Sequence, residues 1–204
     1  VNNIMQLLRE YYSLCEGNVC KDLLSEQEKK DIANGAVILS GVLQRADAEN
    51  GNGRVYSKKI LERELENYQK KIKERRSVGT LDHQDSSVID LREASHLVNA
   101  VWWNGNDVMG KIKVLDGVPN GEILKGLLKN NIQIGISSRG LGSTVNRGGI
   151  TEVQDDFELI CFDIVQEPST KGAFLNEGKS TELNPRKVFS KADRLNSKLN
   201  DIWR

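Results

Sequence analysis

The stretch from Ala94 to Leu115 constrains the fold of this chain more than any other. It reads as strand, turn, strand: His96-Leu97-Val98 through Trp102-Trp103, then Asn104-Gly105-Asn106-Asp107, then Val108, Gly110, Ile112 and Val114 in alternation. Alternation puts one face of each strand against a core, and an Asn-Gly dipeptide between two such runs closes a tight hairpin. An antiparallel sheet is therefore the organising layer. Ala36–Leu43 is short, apolar and partly β-branched, as a buried strand requires, and further strands are expected at 132–136, 150–154 and 156–165. Asn50-Gly51-Asn52-Gly53 marks a turn, after which Ser57 is placed to cap a helix running to Arg76 with Leu61, Leu65, Tyr68 and Ile72 as its buried stripe. Asn120 is placed to cap a shorter helix that turns Ile123, Leu124, Leu127 and Leu128 inward and ends at Asn130-Asn131. The sum is an α+β arrangement around a small sheet or barrel.

The ends read differently. Ile4, Leu7, Leu8 and Tyr11, followed by Leu23, Leu24 and Ile32, have helical spacing, which predicts a helical extension over 1–34. Residues 168–185 hold two of the three prolines and read as a linker. Beyond Pro185, the apolar positions Val188, Ala192, Leu195, Leu199 and Ile202 predict an amphipathic helix. The organisation expected is an extension over 1–34, a main domain over 35–170, and a linker with a C-terminal helix over 171–204.

Composition narrows the function. The 38% hydrophobic fraction, with 18 glycines besides, is enough to build a core, so the chain is not disordered. With 29 basic and 29 acidic residues the formal charge is zero, which argues against an electrostatic nucleic-acid or membrane-surface binder. The cations from Lys70 to Arg76 are read as the solvated last turn of a helix, complementing its dipole, rather than as an anion patch. Cys15, Cys20 and Cys161 are odd in number and lack metal-ligand spacing, so no disulfide framework, metal site or cofactor is expected, and the compartment is read as reducing. The segment VNNIMQLLREYY forms neither a signal-peptide core nor a membrane span, which favours a soluble, cytoplasmic protein.

The chemistry centres on Gly135-Ile136-Ser137-Ser138-Arg139-Gly140-Leu141-Gly142-Ser143. The adjacent serines Ser137 and Ser138 among three glycines after an apolar strand suit an exposed nucleophile on a turn, whose backbone N–H groups at Ser138, Arg139 and Gly140 can converge on an oxyanion. A plain β-turn or a phosphate-cradling loop fits the same residues. The segment is neither the hydrolase elbow G-x-S-x-G nor a P-loop. A nucleophilic serine needs a base, and only two histidines exist. His83 lies in the polar loop Gly79-Thr80-Leu81-Asp82-His83-Gln84-Asp85 and can exchange protons, whereas His96 sits among apolar strand residues and reads as packed. For the group that orients the base, strand parity leaves Asp163 and Glu158 open. Arg139 either ties the loop to the domain or attracts an acidic substrate side chain.

Four ordered motifs carry a resemblance over about residues 35–175: Gly79-Thr80-Leu81-Asp82-His83; Trp102-Trp103 with Gly105-Asn106-Asp107-Val108 and Gly110; the Ser137-Ser138-Arg139-Gly140-Leu141-Gly142-Ser143 block; and Asp163-Ile164-Val165 with Pro168-Ser169. Together they resemble the prohead core proteases of T-even-type tailed phages, a family similar in fold to the herpesvirus assemblins. The resemblance implies an α+β fold with a small, mostly antiparallel closed β-barrel surrounded by helices. It implies a serine endopeptidase of head maturation, working without a cofactor inside the immature prohead in the host cytoplasm. Its partners would be scaffold and major capsid precursor proteins, with neither nucleic acid nor membrane, and pairing into a homo-oligomer is a family trait.

By that resemblance Ser137 takes the place of the nucleophile and His83 that of the histidine. Assemblins use a second histidine after the serine, and none follows Ser137 here, so Asp163 on the late strand becomes the candidate third member. Where the family has a proline after the histidine, this chain has Gln84. Family substrates are cut after a glutamate that follows an aliphatic residue two positions earlier, which marks Glu177 in Leu175-Asn176-Glu177 and Glu16 in Leu14-Cys15-Glu16 as self-cleavage candidates. The rival reading is a catalytically inactive scaffold or capsid-assembly module that uses the 186–202 helix as its partner surface.

Overall fold

In the computed structural model the described residues are 5–15 and 18–166. They form strand β1 (Gln6–Ser13), helix α1 (Glu26–Ala33), strands β2 (Ile38–Arg45) and β3 (Arg54–Val55), helix α2 (Lys58–Lys73), strands β4 (Val78–Thr80), β5 (Ala94–Asn104) and β6 (Asp107–Val114), helix α3 (Pro119–Lys129), and strands β7 (Gly135–Gly142), β8 (Thr144–Arg147), β9 (Ile150–Val153) and β10 (Glu158–Val165). Three sheets result, ordered β2-β6-β5-β4, β1-β7-β10 and β3-β9-β8. Only the β3–β9 pair is parallel among the paired strands, so the fold is mixed α/β with mostly antiparallel sheets. Among the described residues no sheet closes on itself, so the closed barrel stays an expectation. The two larger sheets meet through single bridges at Leu14–Gly41 and Leu81–Ile164, which do not extend into a continuous ladder.

The hairpin forms as the pattern requires, with β5 and β6 paired from His96–Val114 to Asn104–Asp107 and Gly105 in the left-handed region at φ 63°. Helix α2 starts where Ser57 accepts the Ile60 N–H. Its buried side includes Leu61, Leu65 and Tyr68, and the Tyr68 ring stands edge-on to Phe162 of β10 at 5.2 Å. At the other end Lys71 reaches back to the carbonyls of Leu159 and Ile160, each at 3.2 Å, where β10 bulges against β7. One cation of the basic run is thus structural.

The N-terminal segment departs from expectation. Instead of a helix from the first residues, β1 pairs along its full length with β7, from Gln6–Gly142 to Ser13–Gly135. Within 1–34 the described α-helix is α1, opened by a capping box between Ser25 and Glu28. Long-range pairing overrides local period here because β1 carries Glu10 into the core. Its carboxylate accepts from Asn52 at 2.6 Å and from Arg54 and Tyr56, each at 2.7 Å. Cys15 and Cys20 are also joined as a disulfide, their Cα atoms 5.4 Å apart, where none was expected; the chain doubles back after β1 to within bonding range. Helix α3 begins at Pro119 after Val118 rather than under an Asn120 cap, and the Asn120 amide instead holds Glu93 at 2.9 Å. Ile123, expected inward, is exposed. The C-terminal helix expected over 186–204 lies outside the described residues.

Candidate active site

The sheet β1-β7-β10 has two unlike faces. Ile136 and Ser138 of β7, with Phe162 and Ile164 of β10 opposite them, look into the core; Ser137 and Arg139, with Asp163 and Cys161 opposite, look the other way. Asp163 stands directly across from Ser137, so the two side chains share a face by register alone. His83 is delivered by the loop after β4. Leu81 makes a parallel bridge with Ile164, and the Asp82 N–H donates to the Ile164 carbonyl at 2.7 Å. Asp82 then takes the left-handed conformation at φ 66°, its carboxylate accepting the His83 N–H at 2.8 Å.

This turn brings the imidazole between the other two side chains. His83 Nε2 lies 2.9 Å from Ser137 Oγ, and His83 Nδ1 lies 3.0 Å from Asp163 Oδ2. An ionised carboxylate only accepts, so the ring proton belongs on Nδ1 and the Nε2 lone pair faces the serine hydroxyl. In that tautomer the hydroxyl proton can pass to the ring.

Asp163 is wholly buried and densely held. Besides His83, its carboxylate accepts from Arg139 Nε at 2.8 Å and Nη2 at 3.3 Å, from the Thr80 amide at 3.1 Å and hydroxyl at 2.9 Å, and from the Cys161 thiol at 3.3 Å. Burial opposes its charge, but the His83 hydrogen bond and the Arg139 guanidinium more than offset that and hold the carboxyl well below the usual carboxylate range. Burial, followed by the charge of Asp163, pushes the Cys161 thiol up, which keeps it a proton donor. Two close approaches make room for this packing. A Cβ at Gly79 would collide with the Phe162 carbonyl and the His96 ring, and one at Gly135 with the Tyr11 ring.

Ser137, His83 and Asp163 are therefore brought together. Glu158, the other carboxylate left open, is exposed and stands opposite Leu141, away from His83. Because β10 has an extra residue between Leu159 and Cys161 relative to β7, Glu158 falls on the same face as Asp163, and it is position along the strand that separates the two. His96 is buried as expected, with Nδ1 2.8 Å from the Ser95 hydroxyl and Nε2 2.9 Å from the Phe162 carbonyl. Burial lowers its pKa, against the hydrogen bond to Phe162 and the charge of Asp163.

The loop expected over 135–143 is a strand. Ser138, Arg139 and Gly140 lie inside β7, which is paired on both sides, and a central strand commits its N–H groups to its ladders; these three do not form an oxyanion turn. Ser138 turns its hydroxyl to the core, accepting from Gln44 at 3.0 Å. Arg139, fully buried against Asp163, ties the site together and leaves no side-chain surface exposed. Glu16 and Glu177 lie outside the described residues.

Sequence reasoning missed Thr80, Cys161 and the contribution of β1, which sets Tyr11 opposite Ser137 and Arg9 opposite Arg139. The β-favouring pair Tyr11-Tyr12 was the available signal for that strand.

A serine, an imidazole and a buried carboxylate in hydrogen-bonded line are the constellation of a serine-type hydrolase, recognised by geometry and not by order along the chain. The family model of the prohead core protein serine proteases matches residues 14–185, and the chain belongs to that family. It is 30% identical over 176 residues to the prohead core protein protease of Enterobacteria phage T4, across 84% of this chain and 83% of that protein. The solved structure of the bacteriophage T4 capsid assembly protease, gp21, superposes with a TM-score of 0.69 at 27% identity, over 81% of this chain and all of that one.

Proposed function

We propose that this chain is a serine endopeptidase of phage head maturation that cleaves scaffold and major capsid precursor proteins after glutamate, and then itself. The observation that carries the proposal is the line from Ser137 Oγ through His83, 2.9 Å on one side and 3.0 Å on the other, to Asp163. His83 takes the Ser137 proton as Oγ attacks the scissile carbonyl and delivers it to the leaving amine; Asp163 holds the ring and balances the imidazolium. Water then adds to the acyl-enzyme by the same proton path in reverse. The reaction takes place inside the immature prohead in the host cytoplasm, and its self-cleavage sites are Glu177 and Glu16.

Digestion of an aliphatic-x-Glu peptide by wild type, Ser137→Ala and His83→Ala tests the chemistry. Wild type should cut after glutamate, and both variants should lose roughly 10³-fold or more. Undiminished cleavage by either variant removes that residue from the mechanism. Intact mass after incubation reads self-cleavage, and a full-length wild type that stays whole while processing a precursor refutes it.

A further inference from the structure

Two arginines share the site face of the β1-β7-β10 sheet: Arg139 on β7 and Arg9 directly opposite it on β1. Arg139 is committed. Its Nε and Nη2 grip both oxygens of Asp163, Nη2 also touches the Cys161 sulfur at 3.2 Å, and Nη1 donates to the Ser86 carbonyl at 2.6 Å. Arg9 is half committed. Its Nη2 donates to the Gln84 carbonyl at 2.7 Å and the Asp85 carboxylate at 3.1 Å, in the two residues that follow His83, whereas its Nε–H is shut off from solvent and has no hydrogen-bond partner among the described residues. A buried charged donor left unpaired is unfavourable, and such groups in folded proteins call for a reason.

Nε and Nη2 form the edge of a guanidinium that takes a carboxylate in a fork, the same edge with which Arg139 takes Asp163. Tyr11 faces Ser137 on the adjoining same-face rung, so Arg9 is a diagonal neighbour of the nucleophile. Such neighbours have Cα atoms about 7–8 Å apart, within the length of an arginine side chain. We propose that Arg9 is the specificity-determining residue of this protease and binds the side-chain carboxylate of the acidic residue at the scissile bond. The proposal rests on the proteolytic reading above. Asp85 marks the docking mode: its carboxylate already meets Nη2, but its side chain is 80% exposed, and an ion pair so open to water contributes little. A substrate carboxylate can take its place on Nη2, and it engages Nε as well once that exchange opens the edge.

The test uses the full chain and two peptides that differ only in Glu or Gln at the scissile position. Wild type should favour Glu. Arg9→Gln should lose roughly 10- to 100-fold in kcat/KM on the Glu peptide, as for loss of hydrogen bonds to a charged group, and change little on the Gln peptide. Arg9→Lys, which keeps charge without the fork, should fall between. A variant that slows both peptides equally makes Arg9 a support of the His83 loop and overturns the proposal, as does an unchanged Glu-to-Gln ratio in either variant. Should Arg9→Gln fail to fold, the ratio in Arg9→Lys decides. Wild type that cuts neither peptide, or shows no preference, overturns the reading of function itself and this inference with it.

Discussion

Replacing Arg139 by methionine removes the guanidinium but keeps a long apolar stem in a fully buried site. Asp163 then loses contacts at 2.8 and 3.3 Å while keeping Thr80, Cys161 and His83. Breaking one side of a buried ion pair costs about 3–5 kcal/mol because the other charge stays behind, and the surviving donors place this case near about 3 kcal/mol. For a domain of this size that corresponds to roughly 6–12 °C in Tm. The effect must also depend on pH. The Asp163 carboxyl is held below its ordinary 3.8, so its contribution is complete above that value and is lost as pH falls through the folded-state value. Without Arg139 the folded value rises, and acid unfolding begins at a milder pH. Denaturant unfolding followed by tryptophan fluorescence, repeated from neutral to acid pH, measures both effects. The double variant Arg139→Met with Asp163→Asn leaves no stranded charge. It should recover at least half of the lost stability and no activity, since an Asn amide does not fix the His83 tautomer. A loss below about 1 kcal/mol in Arg139→Met, or a double variant no more stable than the single, would refute the buried-pair account.

Three further outcomes follow from the same contacts. Gly79→Ala must drive a methyl into the Phe162 carbonyl and the His96 ring, so it should cost at least about 2–3 kcal/mol in thermal or denaturant unfolding; wild-type stability would show that β4 can shift at no cost. His96 is buried with a pKa pushed below its ordinary 6.5, so the unfolded chain binds the extra proton and stability falls as pH drops below that value, by up to about 1.4 kcal/mol per pH unit. His96→Gln should flatten that part of the stability profile, and an unchanged slope would assign it to another group. Glu158→Gln should leave kcat/KM on a Glu peptide within about twofold of wild type, because that side chain is exposed and remote from His83; a large loss would reopen the choice of third member.

What the sequence carried was local, and what it concealed was long-range. The β5–β6 hairpin was legible from alternation and one Asn-Gly pair, and helix α2 from Ser57 and its stripe, because each is a contract between residues near one another in the chain. The scarcity of histidine did similar work for His83, leaving one solvent-facing imidazole to consider. The failures share a different cause. β1 looks helical until β7 supplies a partner, and Glu10 looks like a surface acid until Asn52, Arg54 and Tyr56 surround it. The bulge near Ile160, steadied by Lys71 from another element, leaves no local sign and yet decides which carboxylates share a face.

The glycine-rich segment shows how the same residues served two readings. Gly135, Gly140 and Gly142 look like the makings of a turn, but a Cβ at Gly135 would strike the Tyr11 ring, and a Cβ at Gly140 or Gly142 would crowd Phe157, so within β7 they are places where neighbouring aromatics pass close over a strand. A serine on a central strand is more firmly fixed than one on a turn, and Ser137, the proposed nucleophile, is held on both sides, by Tyr11 of β1 and Asp163 of β10. The consequence is a division of labour. With the serine and the acid set by register, His83 is the one member brought by a loop, and that loop is pinned by the Asp82 N–H at Ile164 and by Arg139 at Ser86. The geometry of the proposed catalytic site therefore depends on residues far apart in sequence that meet at one short loop. It follows that loosening the loop contacts should alter turnover well before it alters the fold.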